Sequence, residues 1–211
     1  MNRQELHRSW IELGQKYCQD LIHLESIWTI IEKNYSSRNR YYHNLNHIQA
    51  MLNLANENSA EIKDFDEMLF AIWFHDIIYK PISKENEKKS AEFSGELLKG
   101  FSFDELKKQK IDDLIISTKA HKILVKSDID NSFLLDFDLS ILGQHWDVYQ
   151  KYIQDIRKEY HIYPDFLYKP GRKKVLESFL RREKLYFTEK YQNIFETIAR
   201  ENLQKELKLL S

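Results

Sequence analysis

The sequence predicts an all-α protein, a single domain of about nine helices spanning residues 1–211. Three observations point there. Apolar residues recur at spacings of three and four along nearly the whole chain, which is the period of a helix with one buried face. Gly and Pro number only 5 and 3 in 211 residues, so turns are few and elements long. Residues that cap helices stand where the apolar pattern starts and stops.

Leu6, Trp10, Leu13 and Tyr17 mark a first helix, and Leu21, Leu24, Ile27, Trp28 and Ile31 a second. Ser36 to Arg40 breaks the pattern, after which Asn44 caps a helix running to about Asn58. The next covers about Asp66 to Tyr79 and is stopped by Pro81. Ser83 then caps a helix carrying Ala91, Phe93, Leu97 and Leu98, which ends at Gly100. Ser102 with Glu105 forms a capping box for a helix to about His121. From Asn131 to Leu142 polar and apolar residues alternate as in a strand, but Gly143 resembles a helix C-cap, and the segment is read as helix. Trp146, Tyr149, Ile153 and Ile156 continue helically to about Tyr160. Pro164 and Pro170 flank a loop, and Gly171 precedes a helix through about Glu183. A last helix starts at Thr188 and carries Tyr191, Ile194, Phe195, Ile198, Leu203 and Leu207.

Composition excludes several function classes. The formal net charge is −1, so nothing in the overall balance calls for a nucleic acid or an anionic membrane surface as partner. Cys18 is the only cysteine, which leaves no internal disulfide and fits a reducing cytoplasm. The start, MNRQELHRSW, lacks an apolar h-region, and the longest apolar run, Met68 to Phe74, falls far short of the ~20 residues needed to span a bilayer. A cytoplasmic protein outside the membrane is expected.

The informative polar groups sit in apolar surroundings. In MLFAIWFHDIIY, residues 68–79, His75 and Asp76 are the only strongly polar side chains of a segment apolar on every face. An ionised carboxylate buried there costs several kcal/mol unless compensated. A divalent metal would compensate it, and so would an arginine or a backbone amide. In YYHNLNHI, His43 and His47 are four residues apart, which in a helix puts both imidazoles on one face. In FLLDFDLSIL, Asp136 and Asp138 interrupt another apolar run; two residues apart on a helix they face different ways, so one site takes only one of them and the other is a cap or a hydrogen-bonded structural acid. Imidazole plus carboxylate without thiolate suits Mn, Fe, Ni, Co, Zn or Mg.

Taken in order, His47, His75-Asp76 and Asp138 resemble the H…HD…D pattern of the HD-domain metal-dependent phosphohydrolases. The strings RYYHNLNHI, AIWFHDIIYKP, NEKKSAEF, ISTKAH, LLDFDLSILG, IRKEY, GRKKVL and ARENL resemble a small bacterial family of that superfamily over about residues 38–207. YHNLNHI, HDIIY, STKAH and DFDLS are also similar to motifs of the cyclic-nucleotide phosphodiesterases. The resemblance implies a single HD-domain helical bundle with His47, His75, Asp76 and Asp138 as metal ligands. It makes His43 the residue that protonates the leaving oxygen, with Asp76 serving both metal and catalysis, and it puts His121 near the metals, beside their water or as ligand to a second one. Tyr79 stands where the phosphodiesterases have a further histidine, a departure from the full two-metal pattern.

A phosphate substrate also needs positive charge from the protein. Arg157 and Arg172, within the family-like strings, lead the candidates, with Lys80, Lys119 and the stretch Gly171 to Lys174, whose predicted place at a helix start would offer backbone amides to an anion. The expected activity is hydrolysis of a phosphomonoester or phosphodiester by metal-activated water. The expected partner is a small phosphorylated substrate, for which superfamily habit suggests a nucleotide. A metal- and phospholigand-binding sensor without turnover is the alternative, and a plain helical scaffold with buried ion pairs the third reading. An exposed aromatic helix face would suit a homodimer.

Overall fold

The computed structural model describes residues 2–124 and 128–210. Among them it contains ten α-helices, one more than expected, a short 3-10 segment and no strand. The helices are α1 (Arg3–Gln15), α2 (Leu21–Tyr35), α3 (Leu45–Glu57), α4 (Phe65–Phe74), α5 (Asn86–Leu97), α6 (Glu105–Ser117), α7 (Ile129–Asp138), α8 (Trp146–Glu159), α9 (Asp165–Leu180) and α10 (Glu189–Leu209), with the 3-10 segment Leu139–Gly143 directly after α7. Among the described residues no helix is long and apolar enough to cross a membrane. The chain divides into two compact units, Met1–Leu134 and Leu135–Ser211.

In the first unit α4 is the central helix, packed against α3, α5 and α6, while α1 packs on α2. Its buried residues include Met68, Phe70, Ala71, Ile72, Trp73 and Phe74, as the all-round apolar pattern requires. Trp10 of α1 meets Phe70, Trp73 and Phe74 edge-on and donates its indole N–H to the Leu24 carbonyl at 3.0 Å, so one side chain ties three helices. Lys110 of α6 lies 3.3 Å from Asp64, 2.6 Å from Asp128 and 3.2 Å from Asp130, an ammonium shared by three carboxylates where α4 and α7 begin.

Several boundaries differ from the sequence reading. α4 ends at Phe74 rather than near Tyr79, so His75 and Asp76 stand in the turn after it. The carbonyls of Asp76 and Ile77 accept from Arg40, and Ser90 and Asn86 bond the backbone of Ile78 and Lys80, so these groups are satisfied outside a helix. α5 begins at Asn86, and Ser83 accepts from the Glu85 N–H instead of capping a helix. α6 is capped by Asp104, which accepts from the Lys107 N–H at 2.8 Å, because Ser102 donates its hydroxyl to Tyr17. α9 begins at Asp165 and holds Pro170 and Gly171 inside it, so no loop precedes Gly171. Pro170 removes one N–H partner, that of the Phe166 carbonyl, at a residue exposed enough for water to replace it.

In the second unit α10 packs against the 3-10 segment, α8 and α9. A Cβ on Gly143 would lie 2.4 Å from the Cβ of Phe195, so the close approach of α10 requires glycine there. Asp136 is the structural acid: its carboxylate accepts from Phe187 N–H at 2.7 Å, Thr188 N–H at 2.8 Å and the Thr188 hydroxyl at 2.7 Å. Thr188 is in turn the N-cap of α10. Burial pushes the Asp136 carboxyl up to about 6, against the opposing pull of these donors. A folded value above the ordinary 3.8 means the group's contribution to stability is complete below that value and is lost as pH rises through about 6. From pH 4 to pH 7 the wild type is therefore expected to lose up to ~3 kcal/mol relative to Asp136→Asn. Denaturant unfolding of both proteins at the two pH values checks this, and a pH-independent difference would refute it.

Candidate metal centre

The centre forms where the start of α3 meets the turn after α4. Asn44 caps α3 by accepting from the Asn46 N–H at 2.8 Å, which places His47 in the first helical turn. His43 precedes the cap, so the helical-face argument for the His43/His47 pair does not hold. The ring centroids are nonetheless 6.1 Å apart, because the capping turn folds His43 back toward α3. His75 is the C-cap of α4, with its N–H still bonded to the Ala71 carbonyl at 2.9 Å, so the last helical turn fixes its direction and Asp76 follows at once.

His75 Nδ1 lies 3.0 Å from the Ile72 carbonyl. A carbonyl only accepts, so Nδ1 carries the proton and the Nε2 lone pair of the neutral ring points the other way. That Nε2 lies 3.2 Å from His47 Nε2 and 3.2 Å from Asp76 Oδ2. Atoms bearing lone pairs do not face one another at this distance without a proton or a cation between them. Two ligand atoms at roughly 2.1 Å from one cation, set about 90–110° apart, are separated by about 3.0–3.4 Å. The observed spacings fall in that range, and ligand atoms of His47, His75 and Asp76 all lie within 4.8 Å of one another. His47 and His75 are buried and Asp76 is half-buried, so bulk water does not compete freely for the position. The donor set therefore fits a divalent ion of the borderline type.

No protein-family model, curated protein or solved structure matches the chain.

Other expected residues fall around this group or away from it. The His43 ring stacks on Tyr79 at 4.1 Å and an interplanar angle of 26°. His121 lies past the end of α6 with φ of +44°, a left-handed conformation uncommon outside glycine, and is not one of the three grouped ligands. It is electrostatically coupled to Glu87 of α5, as are Asp76 and Lys119. Burial holds the Glu87 carboxyl above the usual range; the Asp76 charge adds to this, and Lys119 and His121 oppose it. Lys119 itself lies 3.1 Å from Glu85.

Asp138 is the last residue of α7 and belongs to the second unit. There it is electrostatically coupled to Tyr152, whose phenol burial raises above the ordinary range, helped by the charges of Glu206 and Asp138 and opposed by Arg172. Arg157 is engaged with Asp165 at 2.8 Å and with the carbonyls of Tyr160 and Tyr163, both at 3.0 Å. Arg172 lies within α9, not at its start, so the backbone amides beside it are helix-interior groups rather than an anion cradle. Its guanidinium is committed to the buried Glu206.

Two residues near the centre escaped the sequence reading. Glu87 sits in NEKKSAEF, one of the strings behind the resemblance, which is the signal that would have found it. Arg40 opens RYYHNLNHI, another of those strings, but its bonds to the Asp76 and Ile77 carbonyls join segments too far apart in sequence to be foreseen.

Proposed function

We propose that the protein is a metal-dependent phosphohydrolase that cleaves a small phosphoester at the His47/His75/Asp76 centre. The convergence of two imidazole nitrogens and a carboxylate at ligand-to-ligand spacings carries this reading, and the resemblance of the motifs to HD-domain phosphohydrolases supports it. A divalent ion held there supplies a Lewis acid for a phosphoryl oxygen and a water of lowered pKa.

The protein's own groups supply the rest. Two neutral imidazoles and one carboxylate leave net positive charge on a divalent centre, which favours an anionic substrate. His75 is locked in the tautomer that presents Nε2 by its bond to Ile72. His43, beside His47 and stacked on Tyr79, is placed to hold a proton for the leaving oxygen. Deletion of that group in His43→Ala is expected to leave bound metal unchanged and lower kcat by roughly 10²–10⁴-fold, the usual worth of a general acid.

Purified protein loaded with Mn, Mg, Ni or Co and assayed on generic phosphomonoesters and phosphodiesters tests the proposal. Metal-dependent turnover lost in His43→Ala supports it. Bound metal without turnover on any of these substrates overturns it in favour of a phospholigand sensor, and absence of bound metal in favour of a helical scaffold.

A further inference from the structure

We propose that Arg40 is a positioning residue that locks the His43 segment to the Asp76 turn and thereby fixes the proton donor against the metal ligands; the proposal deepens, and rests on, the reading of this centre as a phosphohydrolase site.

Arg40 lies in the break between α2 and α3, far in sequence from the turn it reaches. One guanidinium nitrogen, Nη1, donates to the His43 carbonyl at 3.2 Å and to the Asp76 carbonyl at 2.6 Å, and Nη2 donates to the Ile77 carbonyl at 2.8 Å. The donors go to the backbones of both segments at once, so they set where the chain carrying each functional side chain runs. The guanidinium carbon also lies 4.9 Å from the Tyr35 ring centroid and 5.6 Å from that of Tyr79. Tyr35 is fully buried and donates its hydroxyl to the Trp73 carbonyl at 3.0 Å, so it anchors this cation to α4.

Tyr79 closes the arrangement. The same ring that receives the Arg40 cation stacks on His43 at 4.1 Å. His43 is thus held through its backbone by Arg40 and through its ring by an aromatic partner that Arg40 also contacts. A planar fork with several fixed donors can serve three carbonyls and two ring faces together, whereas a lysine ammonium is a compact point charge without a stacking face. A catalytic proton donor displaced by about 1 Å can cost ~100-fold in rate, so loosening this clamp is expected to act on turnover rather than on metal retention.

The experiment compares wild type, Arg40→Ala, Arg40→Lys, His43→Ala and the double variant Arg40→Ala/His43→Ala, all as the full chain loaded with Mn and assayed on p-nitrophenyl phosphate and bis(p-nitrophenyl) phosphate. Arg40→Ala is expected to keep its helical circular dichroism and bound Mn, to lose ~100-fold in kcat and to change KM little. Arg40→Lys should show a smaller loss of the same kind, and it replaces Arg40→Ala as the deciding variant if the latter does not fold. Because Arg40 acts through His43, the double variant should be no slower than His43→Ala alone. Losses that multiply, loss of bound Mn in Arg40→Ala, or wild-type kcat in the folded Arg40 variants would overturn the proposal.

A second readout needs no activity. In metal-free protein the His43 ring proton resonance should be displaced upfield by the Tyr79 ring current, and both Arg40→Ala and Tyr79→Leu should return it toward the position of a free histidine. An unchanged His43 resonance in folded Arg40→Ala refutes the clamp even if the wild type turns over no phosphoester, an outcome that would by itself refute only the proposed function.

Discussion

Asp76→Ala is expected to strip the protein of divalent metal and, with it, of any phosphoester hydrolysis. Asp76 is the one anionic member of the group that includes His47 and His75. Without it two neutral imidazoles remain, with their Nε2 atoms 3.2 Å apart, and a single proton on one ring satisfies both as an ordinary hydrogen bond. The drive to recruit a cation then disappears. Loss of a hydrogen-bonding partner behind a metal ligand typically costs ~10–100-fold in metal affinity, and loss of the charged ligand itself should cost more. Elemental analysis after dialysis, alongside a thermal unfolding curve showing that the variant still folds, checks this. Wild-type metal content in folded Asp76→Ala would mean that the metal is held without Asp76, and the proposed centre would fall with it.

Arg172→Ala is expected to lower the unfolding free energy by about 3–5 kcal/mol, the usual consequence of removing one partner of a buried ion pair. The Arg172 side chain is 10% exposed and that of Glu206 1%. Nε meets one carboxylate oxygen at 2.7 Å and Nη2 the other at 3.0 Å, a bidentate pair, and the Tyr149 hydroxyl also donates to Glu206. Deleting the arginine leaves a carboxylate in a dry interior with a phenol as donor. Replacing both members together, as in Arg172→Met/Glu206→Leu, should recover much of the loss, because the dominant cost is the orphaned charge rather than the missing attraction. Denaturant titration of the two single variants and the double variant measures this. A phosphate-binding role for Arg172, the expectation from sequence, makes the opposite forecast: unchanged stability and a raised KM.

The contrast between these two residues shows what was legible in the chain. Asp76 was marked by chemistry that needs no coordinates, since a carboxylate inside MLFAIWFHDIIY must find a positive or hydrogen-bonding partner wherever the segment packs. Arg172 had no such mark. In GRKKVL it is one basic residue among three, and only the fold turns it inward onto Glu206, 34 residues away. The caps divide in the same way. Asn44 caps the helix expected of it, and Thr188 caps the helix expected to start there, because in both the acceptor and the N–H lie within three residues. Ser102, with equally suitable spacing to Glu105, is drawn instead to Tyr17, 85 residues away, and Asp104 caps in its place.

The all-helical character, the order of most of its elements and the polar residues able to gather around a cation were determined by the sequence alone, because apolar period, cap chemistry and the cost of burying charge act over a few neighbouring residues. Tertiary structure decided that α4 stops at Phe74 and that Arg40 bonds the carbonyls of Asp76 and Ile77. Each of these depends on which distant group satisfies a backbone carbonyl or a charge, and that choice is made only when the helices pack.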